Sequence, residues 1–256
     1  MAGRSDVGSP LRLIVQESAA PSIGRVEHRS RYFQAMSFVL LACVLFGFAR
    51  TLFLRPLFHV PPMAASYLYL HGTLLTSWFV LLVAQTSLVA AHRPDLHRRL
   101  GIAGAILAIA VFGIALITVL GLPGHFKAGR LSSEGSLDFA AISGSVWTDF
   151  AALALFATFV AIALNLRHRS DIHRRLMLLA SVAIVVPAVA RLPTIGTVRI
   201  LIILALPLSL VVHDLRGLRR VHRTTVWGVT SYFVAYLGSA WASATGIGHA
   251  LITSLE

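Results

Sequence analysis

The stretch "LGIAGAILAIAVFGIALITVLGL", residues 100–122, contains no charged residue. A helix rises about 1.5 Å per residue, so roughly 20 apolar residues cross the hydrocarbon core of a bilayer. Further apolar stretches of similar length follow one another along the 256-residue chain, separated by short polar breaks. This pattern predicts an all-α, polytopic integral membrane protein.

The composition agrees with this class. Hydrophobic residues make up 57% of the chain and charged residues 12%, with a mean hydropathy of +0.79. Ordinary soluble domains have roughly 45–50% apolar and 25% charged residues, so the composition argues against a soluble domain. The single cysteine, Cys43, lies inside an apolar run, which excludes an internal disulfide and favours a buried packing role.

The hydrophobic runs predict a bundle of seven transmembrane helices in a domain at 33–256. A polar tail at 1–32 precedes it and is expected to be disordered, as a retained segment rather than a cleaved signal. The predicted helices span residues 33–54, 63–91, 100–122, 137–166, 173–192, 197–212 and 225–252.

The positive charges predict the orientation of the bundle. Of the 22 Lys and Arg residues, 16 fall in the tail and in the second, fourth and sixth loops, which would all lie on one side. The positive-inside rule therefore predicts a cytoplasmic N-terminus and, after seven crossings, a C-terminus outside. The net charge of +12 is concentrated in these loops, so we expect them to contact anionic lipid and do not expect nucleic-acid binding.

Two of the basic loops carry copies of one motif, "HRPDLHRRL" at 92–100 and "HRSDIHRRL" at 168–176. Their paired histidines are five residues apart, which places them on different faces of a helix and argues against a metal site. We interpret Asp95 and Asp171 as N-caps of the helices that follow, and the Arg and His side chains as headgroup contacts.

Ionisable residues inside membrane spans are costly and are therefore the first functional candidates. Counting along the predicted helices from the basic loops places four of them at similar depths of roughly 25 to 30 Å. These are His71, Asp149, Arg191 and Arg50. We predict that Asp149 pairs with Arg191 or Arg50 and that these residues, with His71, line an outward-facing ligand pocket, with Trp78 and Gln85 deeper. Alternatively, the arginines snorkel to the interface, His71 lies in the interface, and Asp149 caps a helix.

Three stretches carry a resemblance to a known family: "LHGTLLTSWFVLLVAQTSLVAAHRPDLHRRLG" (70–101), "HRRLMLLASVAIVVPAVARLP" (173–193) and "HDLRGLRRVHRTTVWG" (213–228). They resemble a family of uncharacterised bacterial seven-helix membrane proteins, which implies an inner-membrane location and no particular activity. The LHRRLG element is also distantly similar to transmembrane b-type cytochromes. That similarity implies haem b as a candidate cofactor, with His71 and His249 as the available axial ligands.

Three functions are compatible with these features. The first is a small-ligand binder, sensor or transporter that uses the pocket; the second is a haem-b electron carrier or membrane oxidoreductase; the third is an accessory subunit without a ligand. No recognisable catalytic motif is present, so the sequence assigns no enzyme activity and predicts no catalytic residue or metal site. The small residues Gly238, Ala242 and Gly246 recur every fourth position and predict a helix-packing face that could form a homo-oligomer.

Overall fold

The structure is a computed structural model that describes residues 23–60, 63, 65–131 and 139–245, and it contains only helices and turns within those ranges. Side chains are described for 31–60, 63, 65–122 and 143–245. The α-helices are α1 (Ile23–Phe48), α2 (Tyr67–Ala90), α3 (Pro94–Leu131), α4 (Phe139–Asn165), α5 (Ser170–Ile184), α6 (Val186–Ala190), α7 (Gly196–Leu218) and α8 (Arg223–Ala244). A π-helical turn (Ala49–Phe53) and a 3₁₀ turn (Arg55–Phe58) follow α1.

Six helical segments are long and apolar enough to cross a membrane, which indicates a multi-pass membrane protein. They are Arg31–Phe53, Tyr67–Ala90, Pro94–Leu122, Ser143–Asn165, Ser170–Ala190 and Gly196–Leu218. The predicted seventh span corresponds to α8, which is 22 residues long but is not among the six. Its lower hydropathy is explained by serine, threonine and tyrosine residues.

Three short turns lie at one end of the bundle, because the ring centres of His97 and His173 are 6.4 Å apart and His222 Nε2 lies 3.0 Å from Asp171 Oδ2. The turns at 91–93, 166–169 and 219–222 contain most of the loop arginines, and we call this the basic end. The start of α1 reaches the same end, because Gln34 Nε2 donates to Ser87 Oγ at 3.1 Å and the Ser37 and Thr86 hydroxyls are 2.8 Å apart.

Helix α5, with its continuation α6, is the central element. It packs against α1, α4, α7 and α8, and buries nearly all of its residues from Arg175 to Val189. Small residues such as Ala180, Ser181 and Ala183 permit this close packing. By contrast, apolar side chains spaced three or four residues apart on α3 and α7 are exposed, as expected for lipid-facing surfaces. Examples are Ile102, Ile106, Ile109, Leu201, Leu204 and Leu208.

Several predicted helices differ from the observed ones. The helix predicted at 100–122 extends from Pro94 to Leu131, and the helix predicted at 197–212 continues to Leu218. The first helix begins at Ile23, ten residues before the predicted start, so the helix continues into the polar segment expected to be disordered. The predicted helix at 173–192 is interrupted at Val185 and continues as α6. The interruption has a local cause, since Pro187 has no backbone N–H and its ring prevents a regular helix at this point.

The predicted packing face on the last helix is only partly described. Gly238 is exposed, and nothing lies within 4 Å of the position that a Cβ would take there. Ala242 is half-buried, and Gly246 lies outside the described residues. The oligomeric contact through this face stays a prediction.

Candidate functional site

The end of the bundle opposite the basic end holds the predicted ligand residues. His71 is on α2, and its Nδ1 is 3.2 Å from the Thr118 hydroxyl of α3. The Thr118 hydroxyl itself donates to the Ile114 carbonyl at 2.8 Å, so its oxygen is available to accept from the His71 ring. His71 is thereby oriented by the neighbouring helix and is half-buried.

Arg191 directly follows α6, and the helix break determines its position. Its Nη1 donates to the Pro187 carbonyl at 2.8 Å, and its guanidinium lies over the Phe48 ring, 5.1 Å from the ring centre. Such a cation–π contact supports the charge without neutralising it. The rest of the side chain is exposed at the surface of the protein.

Asp149 lies on α4 and is half-buried. Within the described part of the chain, no hydrogen bond or ion pair reaches its carboxylate. Arg191 is near enough to interact electrostatically with both Asp149 and His71, and Asp149 in turn is near Tyr236 of α8. The three predicted residues therefore lie in one region, which we call the Asp149 site, and the predicted ion pair of Asp149 with Arg191 is not formed.

The other predicted pocket residues have different surroundings. Arg50 is exposed in the π-helical turn, with its guanidinium 5.7 Å from the Phe58 ring centre, and it forms no ion pair with Asp149. The buried Trp78 indole N–H donates to Ser181 Oγ at 3.1 Å. In the amide orientation that satisfies its partners, Gln85 accepts from the Gly101 N–H at 3.1 Å and donates to the His97 carbonyl at 3.2 Å. Trp78 and Gln85 therefore join helices to one another.

The basic end contains a buried ion pair that the sequence reasoning did not predict. Arg175 of α5 and Asp214 of α7 have side chains that are 1% and 0% exposed, and Nη2 lies 2.5 Å from Oδ1. Arg175 Nε donates to Asp214 Oδ2 at 3.4 Å and to Thr225 Oγ1 at 3.2 Å, and Nη1 donates to the Asp171 carbonyl at 2.7 Å. The pair joins the central helix to α7 and α8.

The turn before α8 completes this network. The His222 N–H donates to Asp214 Oδ2 at 3.1 Å, and the Thr225 hydroxyl donates to the same oxygen at 2.5 Å. His222 Nδ1 accepts from the Thr224 N–H and thereby caps α8, so Nε2 carries the proton that reaches Asp171 Oδ2 at 3.0 Å. The buried charges of Arg175 and Asp214 therefore pair with each other, and the polar groups around them are hydrogen-bonded.

These contacts correct our interpretation of the twin motifs. Asp95 and Asp171 are not N-caps: they lie inside the first turns of α3 and α5, where a carboxylate still interacts favourably with the helix dipole. Arg175 is not a headgroup contact, since it is completely buried, whereas Arg99 at the equivalent position of the first copy is exposed. The two copies have the same sequence pattern and different roles.

The cluster at the basic end and the Asp149 site differ in how many of their polar atoms have a hydrogen-bond partner. At the basic end, both Asp214 oxygens and all three Arg175 nitrogens have partners, which indicates a structural cluster. In the Asp149 site, no described side chain or backbone group bonds the carboxylate, although a guanidinium is nearby. A buried or half-buried carboxylate without a partner is costly, so such a group within a membrane span is a candidate for function.

The residues of the Asp149 site do not form a metal or haem centre by themselves. No group of three or more His, Cys, Asp or Glu side chains with metal-binding geometry occurs in the described ranges. His249, the proposed second axial ligand, lies outside those ranges. Among the histidines whose side chains are described, only His59 and His71 lie away from the basic end; His125 is in the last part of α3, where side chains are not described. The haem hypothesis therefore depends on His249 and stays a prediction.

Comparison with protein-family models, curated proteins and solved structures gave no significant match.

Proposed function

We propose that the protein is a seven-span membrane protein of the bacterial inner membrane that binds a small polar ligand at the Asp149 site. In this topology α8 is the seventh span, the basic end faces the cytoplasm and the Asp149 site faces outward. The support for this topology is that α8 packs along α4 as part of the bundle, and that the arginine-rich turns share one end.

The topology predicts which engineered cysteines react from outside the cell. In a Cys43→Ala background, Ile195→Cys should react with a membrane-impermeant maleimide in intact cells. His168→Cys should react only after the membrane is opened. Both positions are exposed turn residues, so accessibility to reagent differs only by side of the membrane. Labelling of His168→Cys alone in intact cells would reverse the proposed orientation.

The observation that carries the ligand proposal is the Asp149 carboxylate, which has no bonding partner among the described residues and lies near Arg191. A carboxylate accepts from ammonium or hydroxyl donors, and a guanidinium donates to carboxylate or phosphate oxygens. His71 adds an imidazole near the same arginine. A small molecule with both a cationic and an anionic group, such as an amino acid, would satisfy the aspartate and the arginine together. Binding alone, sensing and transport all begin with this recognition step.

Asp149→Asn should abolish this binding, because the amide has neither the charge nor two acceptor oxygens. We expect at least one L-amino acid to raise the unfolding temperature of the detergent-purified protein. A ligand at 100 times its dissociation constant stabilises by about 2.7 kcal/mol, or roughly 5–10 °C. The same amino acid should leave the unfolding temperature of Asp149→Asn unchanged.

Asp95→Asn is the matched control, since Asp95 is an exposed aspartate at the opposite end of the bundle. It should retain the full ligand-induced shift. The matching amines and carboxylic acids, each with one charge, should bind more weakly than the zwitterion. If Asp149→Asn keeps the shift, the ligand does not bind at Asp149, and if no amino acid shifts the wild type, the proposed ligand class is wrong.

A further inference from the structure

Two tyrosines of α8 contact the two neighbouring helices that contain proline. Proline has no N–H, so the carbonyl four residues before it loses its helical hydrogen bond. Pro187 frees the Ala183 carbonyl, which accepts from the Tyr236 hydroxyl at 2.8 Å. Pro207 frees the Ile203 carbonyl, which lies 3.4 Å from the Tyr232 hydroxyl. Each tyrosine therefore supplies the donor that a proline has removed.

The first of these contacts lies at the break between α5 and α6. There the Ala188 N–H donates to the Val185 carbonyl at 2.9 Å, three residues back, so the regular ladder is interrupted. Helix α6 is only five residues long and leads directly to Arg191. A short helix with few internal hydrogen bonds depends on outside contacts for its position. Tyr236 supplies such a contact at the start of the break.

Tyr236 also lies beside the ligand site. It is near enough to Asp149 to interact with it electrostatically, and its ring is 4.6 Å from that of Tyr232. The same side chain therefore contacts the break that leads to Arg191 and lies near Asp149, with which Arg191 interacts electrostatically. Tyr232 has the analogous bond to α7, whose helix continues unbroken past Pro207.

We infer that Tyr236 is a positioning residue of the Asp149 site: its hydroxyl holds the α5–α6 break and so sets where Arg191 stands relative to Asp149. The effect on ligand binding rests on the proposed function. The effect of the hydroxyl on the α5–α6 break rests only on the hydrogen bonds of the protein.

A double-mutant cycle tests the structural step without any ligand. Tyr236→Phe leaves the Ala183 carbonyl without a donor and should raise amide hydrogen exchange across residues 184–191 about five- to tenfold. Exchange across 199–207 should not change. Pro187→Ala restores a backbone N–H at position 187 that can bond the Ala183 carbonyl. In that background, Tyr236→Phe should change exchange less than twofold.

Tyr232→Phe with Pro207→Ala forms the matched cycle. The Tyr232 hydrogen bond is longer and α7 is continuous, so we expect Tyr232→Phe to raise hydrogen exchange less, and only across 199–207. An increase in exchange that is the same with and without Pro187→Ala would overturn the inference. So would an unchanged exchange rate in Tyr236→Phe, or an increase spread evenly over the bundle, because either result would assign the hydroxyl no specific role at the break.

The binding step is tested on the same variants. The amino acid that stabilises the wild type most should bind Tyr236→Phe about tenfold more weakly, and Tyr232→Phe with unchanged affinity. Tyr236→Phe carrying Pro187→Ala should regain most of that affinity. Equal affinity of wild type and Tyr236→Phe would overturn the positioning role. If no amino acid binds the wild type, the proposed ligand fails while the exchange cycle still decides whether the hydroxyl holds the break.

Discussion

Arg175→Met should strongly reduce the yield of folded protein, because it leaves the Asp214 carboxylate buried among α5, α7 and α8 without its cationic partner. Breaking a buried ion pair by removing one partner typically costs about 3–5 kcal/mol. That is a large part of the stability of a typical domain. The expected result is a loss of most monodisperse protein in detergent gel filtration and a steep fall in the unfolding temperature of what remains.

The repeated motif supplies a matched control for this experiment. Arg99→Met changes the equivalent arginine of the first copy, which is exposed, and should leave yield and unfolding temperature nearly unchanged. Replacing both partners, as in Arg175→Met with Asp214→Leu, removes the unpaired charge and should restore most of the stability. Equal losses from Arg175→Met and Arg99→Met would contradict the structural role assigned to the buried pair.

The comparison of Arg99 with Arg175 also shows what a local sequence pattern leaves undetermined. Both follow the same HRxD(L/I)HRR pattern, and the observed basic turns at 91–93, 166–169 and 219–222 overlap the predicted loops but are shorter than them. Whether an arginine is buried depends on its partner, and Asp214 lies 39 residues after Arg175. We ended the sixth predicted span at Val212, whereas α7 continues to Leu218. A longer span would have identified Asp214 as a second intramembrane aspartate.

The sequence predicts how deep the residues of the Asp149 site lie along their helices, but not which way their side chains point. Counting residues along helices predicts one layer of His71, Asp149, Arg191 and Arg50. Arg191 lies close enough to interact electrostatically with His71 and Asp149, whereas Arg50 lies over the Phe58 ring and forms no ion pair with Asp149. Which way a side chain points depends on helix rotation, and nearly uniform apolar helices give little periodicity to fix it. For that reason Trp78 and Gln85 were assigned to the pocket although both bond to neighbouring helices.

Proline positions carry information that becomes readable only with the packing of the helices. Pro187 and Pro207 each free a carbonyl, and the donors that replace the lost bonds come from α8. Tyr232 and Tyr236 are four residues apart and therefore lie on one face of that helix. The pattern joins two prolines on neighbouring helices to two tyrosines on one face of a third helix. It can be recognised only when it is known which helices pack together.

Gly47→Ala tests the packing that supports the α6 end of the site and should destabilise the protein strongly. A Cβ on Gly47 would overlap the carbonyl oxygen of Ala188, a backbone atom that cannot rotate away. Helices α1 and α6 would have to separate, and overpacking of this kind costs about 1–3 kcal/mol. The expected fall in unfolding temperature is roughly 3–10 °C.

Gly113→Ala is the control, because nothing lies within 4 Å of the Cβ position at Gly113 in α3. Alanine is the better helix former by up to about 1 kcal/mol, so this change should be neutral or stabilising. Since Ala188 lies in the short helix that leads to Arg191, Gly47→Ala should also raise hydrogen exchange across 186–191 more than elsewhere. If the two glycine variants lose the same stability, the contact between α1 and α6 is not tight.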